Sequence, residues 1–134
     1  MRRFLPAAAA LLVAASCSES NGPTPGPLDL RLAYNATPAP RAIMLVVRGP
    51  KNDVTWSAPT GTQFRLITAD GGGDTTHVVI IAPQGITIAA GTVARIQVPD
   101  VRQAGQYTAT TTQVTTPSYA LVAPISYPVT VVRP

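Results

Sequence analysis

Leu28-Asp29-Leu30-Arg31-Leu32-Ala33-Tyr34 alternates along the chain: Leu28, Leu30, Leu32 and Tyr34 share one face, while Asp29, Arg31 and the following Asn35 break outward. Successive side chains of an extended backbone point to opposite faces, so a period of two marks a half-buried strand. The alternation returns at residues 62–69, with Phe64 and Leu66 inward and Arg65 outward. It returns again at residues 92–98, with Ala94, Ile96 and Val98 against Arg95 and Gln97. At residues 105–116, Tyr107, Ala109 and Thr111 oppose Thr108, Thr110 and Thr112. Two stretches are apolar almost without interruption, AIMLVVR at residues 42–48 and THVVIIA at residues 76–82. Such runs predict central strands covered on both faces. Residues 54–57, with the only tryptophan, residues 86–89 as a short edge piece and residues 127–133 complete the series.

Between these runs lie Pro38 and Pro40, Gly49-Pro50, Pro59 and Gly61, Gly71-Gly72-Gly73, Pro83 and Gly85, Pro99, and the segment from Pro117 to Pro124. Proline lacks a ladder donor and glycine tolerates positive φ, so both punctuate strands. About eight strands at a spacing of 8–14 residues, rich in β-branched side chains and without a helical stretch, predict a single all-β antiparallel sandwich. Composition agrees: 46% hydrophobic residues exclude a disordered chain, and 134 residues are too few for a large α/β cofactor enzyme.

The N-terminus has a different design. Met1-Arg2-Arg3 is a charged start, residues 4–15 form an apolar run too short to span a bilayer, and small residues Ala14-Ala15-Ser16 precede Cys17, the only cysteine. This placement resembles the bacterial lipobox, although the family prefers leucine where Ala14 stands. The resemblance implies a lipoprotein signal peptide over residues 1–16 and acylation of Cys17; cleavage by an ordinary signal peptidase is the alternative. A Sec-type signal fits better than a twin-arginine one, because Arg2-Arg3-Phe4-Leu5 lacks the usual spacer. A multiply acylated cysteine holds a protein on a membrane in a way that one chain does not. Ser18 stands where some lipoproteins carry a retaining aspartate, so outer-membrane sorting is expected if the host has two membranes. Residues 17–27, with three prolines and two glycines from Ser18 to Pro27, read as a tether, and residues 28–134 as the sandwich domain.

Asp100-Val101-Arg102-Gln103-Ala104-Gly105-Gln106-Tyr107 resembles the entry to a late strand in immunoglobulin-like sandwiches, where the tyrosine bonds backbone upstream. Gly91-Thr92-Val93-Ala94-Arg95-Ile96-Gln97-Val98 resembles a strand of cohesin modules. The resemblance implies an Ig-like or cohesin-like fold and a binding role, and it carries no site residues.

Little chemistry is available. His77 is the only histidine and has no nucleophile elbow around it, and Glu19, Asp29, Asp53 and Asp100 form no catalytic pair in sequence. Asp70-Gly71-Gly72-Gly73-Asp74 could offer oxygen ligands to calcium but lacks the further acidic positions of an EF-hand, so it reads as a hairpin loop. Neither catalysis nor a cofactor nor a metal site is expected. Setting aside Arg2 and Arg3 leaves eight basic and six acidic side chains, net +2 and scattered, which argues against nucleic acid.

Two surfaces remain as binding candidates. Aromatic rings, Trp56 and Tyr107 foremost, can stack on sugars, although a single tryptophan in a sandwich also serves as a core plug. The face of Thr108, Thr110 and Thr112 suits contact with another protein, or is simply a solvated strand. The sequence therefore predicts a non-catalytic, lipid-anchored envelope module for a protein partner. A cell-wall or extracellular glycan, or a structural accessory role without a ligand, is the alternative. An exposed coplanar set of rings would favour glycan, and a flat uncharged face or an open edge strand would favour protein.

Overall fold

The computed structural model describes residues 22–34 and 38–134. The expected export segment, Cys17 and Ser18, the first part of the expected tether and Asn35 lie outside the described residues.

Nine strands form the described fold: β1 (Gly26–Leu32), β2 (Ala42–Arg48), β3 (Thr55–Ser57), β4 (Arg65–Asp70), β5 (Thr75–Ile81), β6 (Gly91–Val98), β7 (Thr108–Thr115), β8 (Leu121–Val122) and β9 (Val129–Val132). They make two antiparallel sheets, one of four strands in the order β3-β6-β1-β9 and one of five in the order β4-β5-β2-β7-β8. The all-β sandwich is therefore the fold of this chain. Its strand order is its own: in immunoglobulin constant domains the first strand adjoins the second, whereas here β1 lies between β6 and β9.

The core follows from the alternation. Leu28, Leu30 and Leu32 of β1 and Val93, Ala94, Ile96 and Val98 of β6 face Ile43, Leu45 and Val47 of β2, Val78 and Ile80 of β5 and Val114 of β7, all buried. Two register shifts place residues that simple alternation would misassign. One falls between Leu30 and Arg31, so that Val93 and Ala94 are both buried. The other falls between Met44 and Leu45, opposite Thr111 and Gln113, and leaves Thr112 as the extra residue. Its hydroxyl donates to the Met44 carbonyl at 3.2 Å, where the bulge interrupts the ladder. Beyond the bulge, Val114 instead of Gln113 turns inward.

Five readings need correction. β1 starts at Gly26, two residues before the expected domain boundary, because Gly26 and Pro27 already pair with Val98 and Gln97. Just before β1, Val101 donates to the Thr24 carbonyl at 2.8 Å and Arg102 Nη2 to the Gly22 carbonyl at 2.7 Å, so the end of the tether is bound to the domain. Residues 86–89 are not a strand; the Ile88 N–H donates to the Pro40 carbonyl (2.7 Å) and its carbonyl accepts from the Tyr34 hydroxyl (2.8 Å), which hold the fully buried Ile88 in place. Conversely, β8 arises inside the proline-rich segment, pairing Leu121 with Thr115 and Val122 with Val114.

Finally, β2 and β5 are not covered on both faces. Their inward residues are buried, but Ala42, Met44, Val46, Val79 and Ile81 remain half-exposed on the outer surface, and no element among the described residues packs over them.

Candidate functional site

The outer faces of the two sheets have opposite chemistry. On the four-stranded sheet, cross-strand register places Ser57, Arg95, Asp29 and Val132 in one row, Thr55, Gln97 and Pro27 in the next, and Thr92, Arg31 and Thr130 in a third. Asp29, expected outward, does lie on this face but is buried: Arg95 Nε donates to its Oδ1 at 2.8 Å and Thr92 Oγ1 to its Oδ2 at 3.4 Å. This bond raises the Arg95 pKa above its ordinary value. The face is mainly polar, with Val132 and Pro27 its apolar members in these rows.

On the five-stranded sheet, one row reads Arg65, Ile81, Ala42, Thr115, Leu121. The next reads Ile67, Val79, Met44, Gln113, and a third reads Ala69, His77, Val46, Thr110. A last row holds Thr75, Arg48 and Thr108. Six apolar side chains (Ile67, Val79, Met44, Ile81, Ala42 and Val46) thus form one contiguous patch, with Arg65, Arg48 and His77 at its margin. The patch spans three adjacent strands, β4, β5 and β2, and β7 continues it with the polar Thr110, Gln113 and Thr115. Largest patches on monomers run to about 300–600 Å² and are often functional.

Of the sequence-predicted site residues, Thr108, Thr110 and Thr112 all lie on this outer face, exposed along its β7 side. Trp56 and Tyr107 do not join them. Both face between the sheets and line a cleft of about 250 Å³ at the open end of the sandwich, with Val47, Val54, Lys51 and Thr68. Trp56 pairs with Ile96 on β3 and packs against the core at its rim, which is the plug position. Tyr107 is buried, and its hydroxyl donates to the Pro50 carbonyl at 2.8 Å. Burial, then the nearby Asp74 charge, raises the Tyr107 pKa. Its bond to backbone upstream spans 57 residues instead of a few, so it joins β7 to the β2–β3 loop.

The other rings are similarly engaged. Tyr34 and Tyr127 sit with ring centroids 5.2 Å apart, and their hydroxyls donate to the carbonyls of Ile88 and Pro38, both at 2.8 Å. Tyr119 is the exposed one, 73% accessible, with its hydroxyl accepting from Arg41 Nη1 at 3.0 Å. No two rings form an exposed coplanar pair among the described residues.

Residues 70–74 form the β4–β5 hairpin loop. Asp70 accepts from the Gly72 N–H (2.9 Å) and from Lys51, which hold its carboxyl below the usual range, the lysine bond being the larger cause. His77 lies exposed in the third outer row. Among the described residues, no group of three or more His, Cys, Asp or Glu side chains is placed to hold a metal ion. Among the same residues, no helix is long and apolar enough to cross a membrane.

The apolar patch is what sequence reading missed. Its signal was present in the two uninterrupted runs, whose outward residues were assigned to a second covering layer.

Comparison of the chain with protein-family models, with curated proteins and with solved structures gives no match.

Proposed function

We propose that this protein is a non-catalytic cell-envelope lipoprotein, anchored through Cys17, whose sandwich docks a protein partner on the outer face of the five-stranded sheet. One observation carries the reading: of two outer faces on one sandwich, one is mainly polar and the other presents Ile67, Val79, Met44, Ile81, Ala42 and Val46 to solvent. Burying apolar surface stabilises a complex by about 25 cal/mol per Å². A typical interface takes about 800 Å² per partner, so a partner would cover the patch and reach the threonine row of β7, where hydroxyls satisfy polar rim contacts. The glycan reading has less support, because the tyrosine hydroxyls of Tyr34, Tyr107 and Tyr127 are spent on backbone carbonyls and Trp56 faces inward. The Ig-like or cohesin-like relationship rests on pattern alone and assigns no partner.

The test is capture from host envelope extract on the immobilised full chain, probed in parallel with solubilised cell-wall glycan. Saturable retention of one protein that Val79→Asp abolishes and Thr130→Asp preserves supports the reading. Retention of glycan alone, or protein capture indifferent to Val79→Asp, overturns it.

A further inference from the structure

Four strands end the two sheets, and three of them have short or flanked edges. β3 has three residues and β8 has two, while β9 has four residues between Pro128 and Pro134. Natural sheets limit edge-to-edge pairing by such means. β4 does not: it has six residues, an uninterrupted register with β5, and neither proline nor bulge. Among the described residues its backbone pairs only with β5, so its other edge presents N–H and C=O groups that no described strand takes up.

We propose that this edge pairs with the β4 edge of a second copy of the chain, antiparallel about a two-fold axis through Ile67. A two-fold axis perpendicular to the sheet keeps both outer faces on the same side, so facing residues must have the same orientation. Centred on Ile67, Ile67 meets Ile67 of the second copy, Leu66 meets Thr68 and Arg65 meets Ala69. Centred one residue further, Leu66 would meet the Asp70 carboxylate. The chosen register extends the row Met44, Val79, Ile67 across the axis, and Ile67 is 43% exposed in the single chain. Thr68 lines the Trp56 cleft, so Leu66 of the second copy stands at the mouth of that cleft. This pairing goes beyond the partner-docking reading and does not depend on it.

Directly opposed strand residues have Cα atoms about 5 Å apart, within disulfide reach. The test is oxidative cross-linking of the full chain carrying Ile67→Cys, with the unsubstituted chain (Cys17 alone) and Thr130→Cys as controls. A covalent dimer formed only by I67C is expected. Separately, Ile67→Lys, which places like charges on the axis, shifts the sedimenting mass from two copies to one with the far-ultraviolet circular dichroism unchanged. Cross-linking by I67C no faster than by T130C, or a one-copy mass for the unsubstituted chain at every concentration, overturns the proposal.

Discussion

The Tyr107 hydroxyl donates to the Pro50 carbonyl at 2.8 Å while its ring lies against Gly49, where an added Cβ would approach to 2.3 Å. Gly49 has φ +154, so both backbone and space call for glycine there. Together they join the entrance of β7 to the exit of β2 and form one wall of the Trp56 cleft. Tyr107→Phe removes one hydrogen bond and is expected to cost about 0.5–1.5 kcal/mol of unfolding free energy. Gly49→Ala forces the ring aside and is expected to cost about 1–3 kcal/mol. Urea denaturation followed by Trp56 fluorescence checks both, with Gly49→Ala the more damaging.

Asp29 and Arg95 face each other across β1 and β6, and the carboxylate is 3% exposed. Asp29→Ala is expected to lower stability by about 1.5–3 kcal/mol, the range for hydrogen bonds to charged groups. A double-mutant cycle with Arg95→Ala checks it: the coupling energy should be positive, and should fall in part in high salt because Asp29 is buried while the Arg95 side chain is 36% exposed.

Asp100 sets the acid response of the tether's end. Its carboxyl is held down to about 2, mainly by its bond from Arg102. An unfolded aspartate titrates near about 3.9. A depressed carboxyl contributes stability above the unfolded value, and that contribution is lost as pH falls through about 2. The nuclear magnetic resonance shift of the Arg102 amide, which donates to Asp100 Oδ1 at 3.0 Å, should therefore follow the Asp100 carboxyl with a midpoint near 2. In Arg102→Ala that midpoint should rise. Hydrogen exchange at the Val101 amide, bonded to Thr24, should also speed up in this variant.

Much of the sandwich was legible in the sequence. The run AIMLVVR is β2 residue for residue, and Leu28, Leu30 and Leu32 face the core as their alternation requires. What could not be read was pairing. Asp29 is outward by periodicity yet buried, because Arg95 is its cross-strand neighbour and register is not written in either strand alone. The bulge at Thr112 changes the face of every later residue of β7, and no local signal marks it. Periodicity also cannot tell an apolar strand sandwiched between layers from one that leaves an apolar face open, which is why the patch around Val79 and Met44 was absent from the expected site. The threonines beside it were recognised, since their hydroxyls alternate visibly with Tyr107 and Ala109.

Outer-face substitutions should separate binding from folding. Val46→Thr and Val79→Thr keep β-branched shape at half-exposed positions, and their stability should change by no more than about 0.5–1 kcal/mol. Thermal unfolding monitored by circular dichroism checks this, while partner retention should fall in proportion to the apolar area removed.

The most direct test of the docking face is photo-cross-linking in the host from a single reactive side chain, placed either at Val79 on the five-stranded sheet or at Thr130 on the four-stranded one. The docking account predicts a covalent adduct with one other protein from Val79 and none from Thr130. Adducts of equal yield from both positions, or none from Val79, would contradict it.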